Sequence, residues 1–185
     1  MGGPLTYEEI KEATNGRKHS NIRNFVETGT YKGDTTMLAA AHYENVYTTE
    51  ICYERYEESK KRAEDAGVTN IDFLFGDSIE LLEIIAPKVT DGAVFFIDAH
   101  ISGQDSSWNG SERVPLMNEL EVILKYNVGP SVFIIDDLRF WRGKEQEAWD
   151  WSEISTEKVV KLFVDNGYDI ASFYESNDRF YVLTN

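Results

Sequence analysis

Two short segments constrain this chain more than any other feature: Ala93–Asp98 reads AVFFID and Ser131–Asp136 reads SVFIID. Each is apolar nearly from end to end and closes on a carboxylate. A strand with one wet face alternates apolar and polar residues, so a strand that does not alternate is covered on both faces. Central strands of a parallel sheet flanked by helices meet that condition. Asn24–Glu27, Asn45–Glu50 and Ile71–Phe75 are further strand candidates, short and mostly rich in Val, Ile, Phe or Tyr. Helix candidates lie between them at Thr35–His42, Tyr53–Ala66, Ile79–Ala86 and Pro115–Tyr126. In the last of these, Leu116, Leu120, Ile123 and Leu124 recur at helical spacing and form a stripe for the core. Residues 5–15 read as an earlier helix that stops at Asn15-Gly16. Glu157–Asn166 reads as a later one, capped by Ser155 and ended by Gly167.

After that helix the pattern changes. Tyr168–Tyr174 and Arg179–Thr184 are strand-like and are joined by Glu175-Ser176-Asn177-Asp178, which makes a hairpin. Five βα units and a hairpin predict an α/β fold: a mostly parallel seven-stranded sheet with a C-terminal antiparallel hairpin and helices on both faces. The 185 residues leave no length for a second core. One domain over 1–185 is expected, with 1–23 as an N-terminal helical extension.

Charge narrows the partners. Lys and Arg number 18 against 33 Asp and Glu, a net charge of −15. Such a surface repels phosphate backbones and anionic lipid, which argues against nucleic acid or membrane as partners and leaves a small-molecule substrate. A homodimer stays open. Cys52 is the one cysteine, so no intrachain disulfide can form. The opening MGGPLTYEEIKEA has no apolar signal-peptide stretch, and no apolar run approaches a bilayer's thickness. A cytoplasmic protein is expected, in which Asn109-Gly110-Ser111 matches a glycosylation acceptor by accident.

The first strand runs into Glu27-Thr28-Gly29-Thr30-Tyr31-Lys32-Gly33, followed at once by a helix. Gly29 permits a sharp turn and a close ligand approach, and Gly33 permits tight packing where the helix starts. A dinucleotide fingerprint needs another glycine where Tyr31 stands, and Tyr31 would crowd a pyrophosphate. The loop suits a ligand without phosphate, and its carboxylate suits one carrying positive charge. This loop resembles the first motif of the class I S-adenosylmethionine-dependent methyltransferases (acidic residue, any residue, Gly, three residues, Gly), and the resemblance extends from Asn24 to Asn185. It implies a Rossmann-like methyltransferase fold in which Thr28, Gly29, Thr30 and Gly33 line the cofactor, with Glu27 near its ammonium group. Glu50, closing the second strand, is placed to accept from ribose hydroxyls. Asp77, after the third strand, is placed to accept from an adenine amino group, with the Ser78 amide at the ring edge. Each has a plain alternative: Glu50 as a solvated strand end, Asp77 as an N-cap for the helix at Ile79.

The fourth strand ends in Asp98-Ala99-His100 and the fifth in Asp136-Asp137. If those strands are neighbours, their ends lie ~5 Å apart. Three carboxylates so close repel unless a cation neutralises them, and oxygen ligands suit a hard ion such as Mg²⁺. The cluster resembles that of metal-dependent O-methyltransferases of the catechol and macrolide or aminocoumarin sugar types. That likeness implies Asp98, Asp136 and Asp137 as metal ligands that acidify a substrate hydroxyl, with Asp98 also near the methyl donor. Where the sugar-modifying relatives carry an acidic base, this chain has His100, a candidate general base. The plain readings are a solvated Asp136-Asp137 loop and a structural His100. Ser102–Arg113, with Trp108, and Arg139–Ile154, with Trp141, Trp149 and Trp151, are irregular and could cover a substrate. Arg139 and Arg142 could meet an acidic group on it, or simply be solvated.

Overall fold

A computed structural model describes residues 3–15, 19–100, 112–126, 128–143 and 150–185. The chain order is α1 (Tyr7–Ala13), β1 (Asn24–Thr28), α2 (Asp34–Ala40), β2 (Asn45–Glu50), α3 (Tyr53–Asp65), β3 (Ile71–Phe75), α4 (Ser78–Ile85) and a 3₁₀ turn (Ala86–Lys88). Then come β4 (Ala93–Ile97), α5 (Leu116–Leu124), β5 (Val132–Ile135), α6 (Leu138–Trp141), α7 (Thr156–Asp165), β6 (Ile170–Ser176) and β7 (Arg179–Thr184). The strands form one sheet in the order β3-β2-β1-β4-β5-β7-β6. All pairs are parallel except β5 with β7 and β7 with β6.

Two cores follow from the pleat, because successive side chains point to opposite faces. Val26, Phe95, Ile97, Phe133, Ile135, Phe180 and Val182 face one layer with Leu82 and Ile85 of α4, Leu120 and Ile123 of α5, and Val159 and Phe163 of α7. Their neighbours Phe25, Val94, Phe96, Val132, Ile134 and Tyr181 face the other, with Ile10 of α1 and Ala39 of α2. The expected helices on both faces are therefore present. β4 and β5 are buried at every position, which is why their sequences do not alternate.

Differences from the sequence expectation are local. The hairpin turn is the two residues Asn177 and Asp178, both with positive φ (50° and 65°), and β6 runs on through Ser176. Both residues in the left-handed region fit a tight turn that matches strand twist. α6 was expected to be irregular. Its four residues are too few to show helical periodicity in sequence. Most of the Ser102–Arg113 loop, including Trp108, lies outside the described residues, as does Trp149. Among the described residues, no helix is long and apolar enough to cross a membrane.

Candidate functional site

β1 lies between β2 and β4, so the chain leaves it in one direction toward β2 and β3 and in the other toward β4 and β5. Open α/β sheets bind ligands at this switch point, outside the carboxyl ends of the strands. The loop after β1 packs tightly against the end of β4. Gly29 has φ +83°, and a Cβ there would sit 2.8 Å from the Asp98 carbonyl oxygen, so only glycine fits. The Gly29 and Thr30 amides both donate to the Thr49 carbonyl at 3.0 Å. The Thr30 hydroxyl pairs with that of Thr48 at 2.6 Å. Thr28 receives the Asp98 amide on its carbonyl and its hydroxyl, each at 3.2 Å. Gly33 starts α2 at φ +75°, with Ser59 of α3 3.1 Å from where a Cβ would stand.

The four acidic residues expected to form one rim fall at the ends of four neighbouring strands. Glu27 is the deepest and 1% exposed. One of its oxygens accepts from the hydroxyls of Thr36 and Thr48. Burial raises its pKa to about 7, with the two hydroxyls opposing and Glu50 adding to the rise. Its position beneath the loop makes it a brace for the turn. Glu50 accepts the Tyr31 amide on one oxygen at 2.7 Å and the Cys52 amide on the other at 2.8 Å. Burial raises its pKa despite those bonds. A carboxylate oxygen has a second lone pair, so both can still accept from a ligand. Asp77 caps α4 through the Ile79 amide at 3.0 Å, and Ser78 begins that helix. Asp98 is raised well above the usual carboxylate range by burial first, then by Asp136, Asp137 and Glu27.

Asp136 and Asp137 take different partners. Asp137 has a left-handed backbone (φ +64°), and its carboxyl still comes within 4.8 Å of that of Asp136. Asp136 faces the Arg179 guanidinium at 3.4 Å and also accepts the Asp137 amide at 2.9 Å. Asp137 takes His100 Nε2 at 2.9 Å and Arg139 Nη1 at 2.5 Å. Burial pushes Asp137 up, but His100 and Arg139 together hold it below its ordinary value. Burial also raises Asp136, with Arg179 opposing. Donor atoms within 4.8 Å of one another form two groups: Asp98, His100 and Asp137, and separately Asp136, Asp137 and Asp178. Asp98, Asp136 and Asp137 do not make up a single set. His100 Nδ1 lies 3.7 Å from Asp98 Oδ1, and its ring packs edge-on against Trp151 and Phe140, with centroids 5.4 and 6.1 Å away. Arg139 and Arg142 are engaged by carboxylates of this chain, Arg139 by Asp137 and Asp178 and Arg142 by Glu175.

Three residues here escaped the sequence reading. Arg179 links Asp136 to Glu9 of α1, a partner 170 positions away that no local pattern reveals. Asp178 holds α6 by accepting the Leu138 and Arg139 amides. Glu119 is fully buried on α5, near Ser78, Thr28 and Asp77. It did leave a trace, since Leu116, Glu119, Leu120 and Ile123 share one helical stripe and a carboxylate interrupts it.

No protein-family model matches this chain, and no curated protein matches its sequence. Solved structures do match its fold. An O-methyltransferase from Bacillus cereus, in complex with SAH (S-adenosylhomocysteine), superposes with a TM-score of 0.68 at 16% identity, covering 97% of this chain and 81% of that one. The O-methyltransferase TomG from Streptomyces achromogenes, involved in tomaymycin synthesis and in complex with SAM (S-adenosylmethionine), gives 0.65 at 15%, covering 97% and 80%. A SAM-dependent methyltransferase from Aquifex aeolicus gives 0.59 at 17%, covering 96% and 87%. Identities this low speak for shared architecture.

Proposed function

Because the chain has the fold of the class I SAM-dependent methyltransferases, we propose that it transfers a methyl group from SAM to a hydroxyl of a small molecule, a sugar being the favoured class. The observation that carries the reading is the rim itself: Glu27, Glu50, Asp77 and Asp98 stand at or just past the ends of adjacent parallel strands, with His100 and Asp137 beside them. Glu50 is the acceptor for ribose hydroxyls, Asp77 and the Ser78 amide meet the adenine, and Gly29 lets the backbone approach the methionine end. Glu27 supports the turn through Thr36 and Thr48. When bound, the cofactor supplies a methyl carbon made electrophilic by its sulfonium. The protein's task is to position the acceptor and remove its proton. Asp137 accepts the Nε2 proton of His100, which leaves Nδ1 as the basic nitrogen on the Asp98 side. Trp151 packs edge-on against that ring and helps to screen it from water.

A second reading adds a divalent cation. Asp98, His100 and Asp137 have the spacing to hold one, and it would lower the pKa of the acceptor hydroxyl. An imidazole in the set widens the choice from Mg²⁺ to Mn²⁺ and other borderline ions. His100 would then be a ligand instead of the base. Calorimetric titration with SAH tests the main reading. Micromolar binding is expected, weakened at least tenfold by Glu50→Ala, and no heat from the wild type defeats the assignment. Chelator treatment of an active preparation separates the two readings: undiminished turnover removes the cation, and loss restored by Mg²⁺ or Mn²⁺ establishes it.

A further inference from the structure

Glu119 is the least explained polar group in the described structure. It projects from α5, which packs along α4, and both carboxyl oxygens are buried without a completed hydrogen bond. Leaving a buried acceptor unsatisfied is expensive, and an apolar side chain of similar size would suit the surrounding layer better. Its polar neighbours are the hydroxyls of Ser78 and Thr28, near enough that each lowers its pKa as a hydrogen-bond donor although neither bond reaches full geometry, while Asp77 nearby raises it. Burial raises its pKa to about 8, so at neutral pH it carries a proton and can both donate and accept. Its neighbours are the residues that close β1 and open α4, the two places that bound the nucleoside end of the proposed cofactor site.

We propose that Glu119 is a positioning residue for that nucleoside: when ligand fills the space outside β1 and β3, its carboxyl closes hydrogen bonds on the Ser78 and Thr28 hydroxyls and locks the two loops against the purine. The inference rests on the methyltransferase reading and deepens it. A side chain that costs stability in the free protein and recovers that cost in the complex favours the bound arrangement. Breaking a local packing rule beside a binding site is where such a device belongs.

The experiment compares wild type, Glu119→Leu and Glu119→Gln by thermal melting without ligand and by calorimetric titration with SAH. Glu119→Leu is expected to melt about 2–4 °C higher than wild type, because it removes the unsatisfied oxygens, and to bind SAH at least tenfold more weakly. Glu119→Gln, which keeps a donor and an acceptor, is expected within threefold of wild-type affinity. A merely structural carboxyl would move both quantities in the same direction. Glu119→Leu that melts lower, or that binds SAH as tightly as wild type, overturns the proposal while leaving the methyltransferase reading in place. A wild type that binds no SAH overturns both.

Discussion

Gly29 occupies the tightest backbone crossing of the site. A methyl group there would press on the Asp98 carbonyl at 2.8 Å from a left-handed φ, so strain and overlap act together. Gly29→Ala is expected to cost about 2–4 kcal/mol in urea unfolding and to abolish SAH binding, since the loop must move off β4. An unchanged unfolding midpoint would show that the crossing is looser. Glu27 supplies a pH signature. Its folded pKa of about 7 lies above the ordinary 4.5, so the folded state holds the proton more tightly. That contribution is complete below pH 4.5, is lost as pH rises through 7, and is flat above. At ~1.4 kcal/mol per unit it amounts to roughly 3 kcal/mol, to which Glu119 adds in the same direction. Glu27→Gln, whose amide oxygen can still accept from Thr36 and Thr48, is expected to flatten the stability decline between pH 5 and 7. An unaltered decline would assign the titration elsewhere.

Among the elements, α1 does more than cover the sheet. Thr6 and Glu9 form a capping box, and Glu9 also takes the Arg179 guanidinium at 2.5 Å, while Arg179 reaches the Gly3 carbonyl and Asp136. Arg179 is 3% exposed, so its removal leaves two carboxylates without their cation in a poorly solvated place. Arg179→Met is expected to destabilise by about 3–5 kcal/mol and to open residues 3–13 to limited proteolysis; resistance equal to wild type would mean that α1 is held by its apolar face alone. The order of elements was legible because strand and helix periods differ and because β4 and β5 lack alternation. Gly29, Glu50, Asp77 and Asp98 were legible because they stand at fixed offsets from strand ends. What was not legible depended on direction and distance. Sequence places Asp136 beside Asp137 but cannot see that one faces Arg179 and the other His100 and Arg139, and the Glu9–Arg179 pair joins opposite ends of the chain.

For the molecule as a whole, the C-terminal hairpin completes the sheet. β7 inserts between β5 and β6, and Phe180, Tyr181 and Val182 enter both cores. The Thr184 carbonyl also bonds His19 Nε2 at 2.8 Å, joining the final strand to the segment before β1. A chain ending at Gly167 would expose all of β5 along one edge. It is expected to show no cooperative thermal transition by circular dichroism, whereas a sharp melt would prove the five parallel strands self-sufficient.

The turn at Asn177-Asp178 ties two distant stretches of chain, because Asp178 holds Leu138 and Arg139 while Arg139 steadies Asp137. A circular permutant opened at this turn would keep its strands yet let the acidic corner wander, whereas one opened at Gly167 would leave that corner knotted. Anyone exchanging loops at this corner should therefore treat 137–139 and 177–179 as one cassette, exchanged together or left alone.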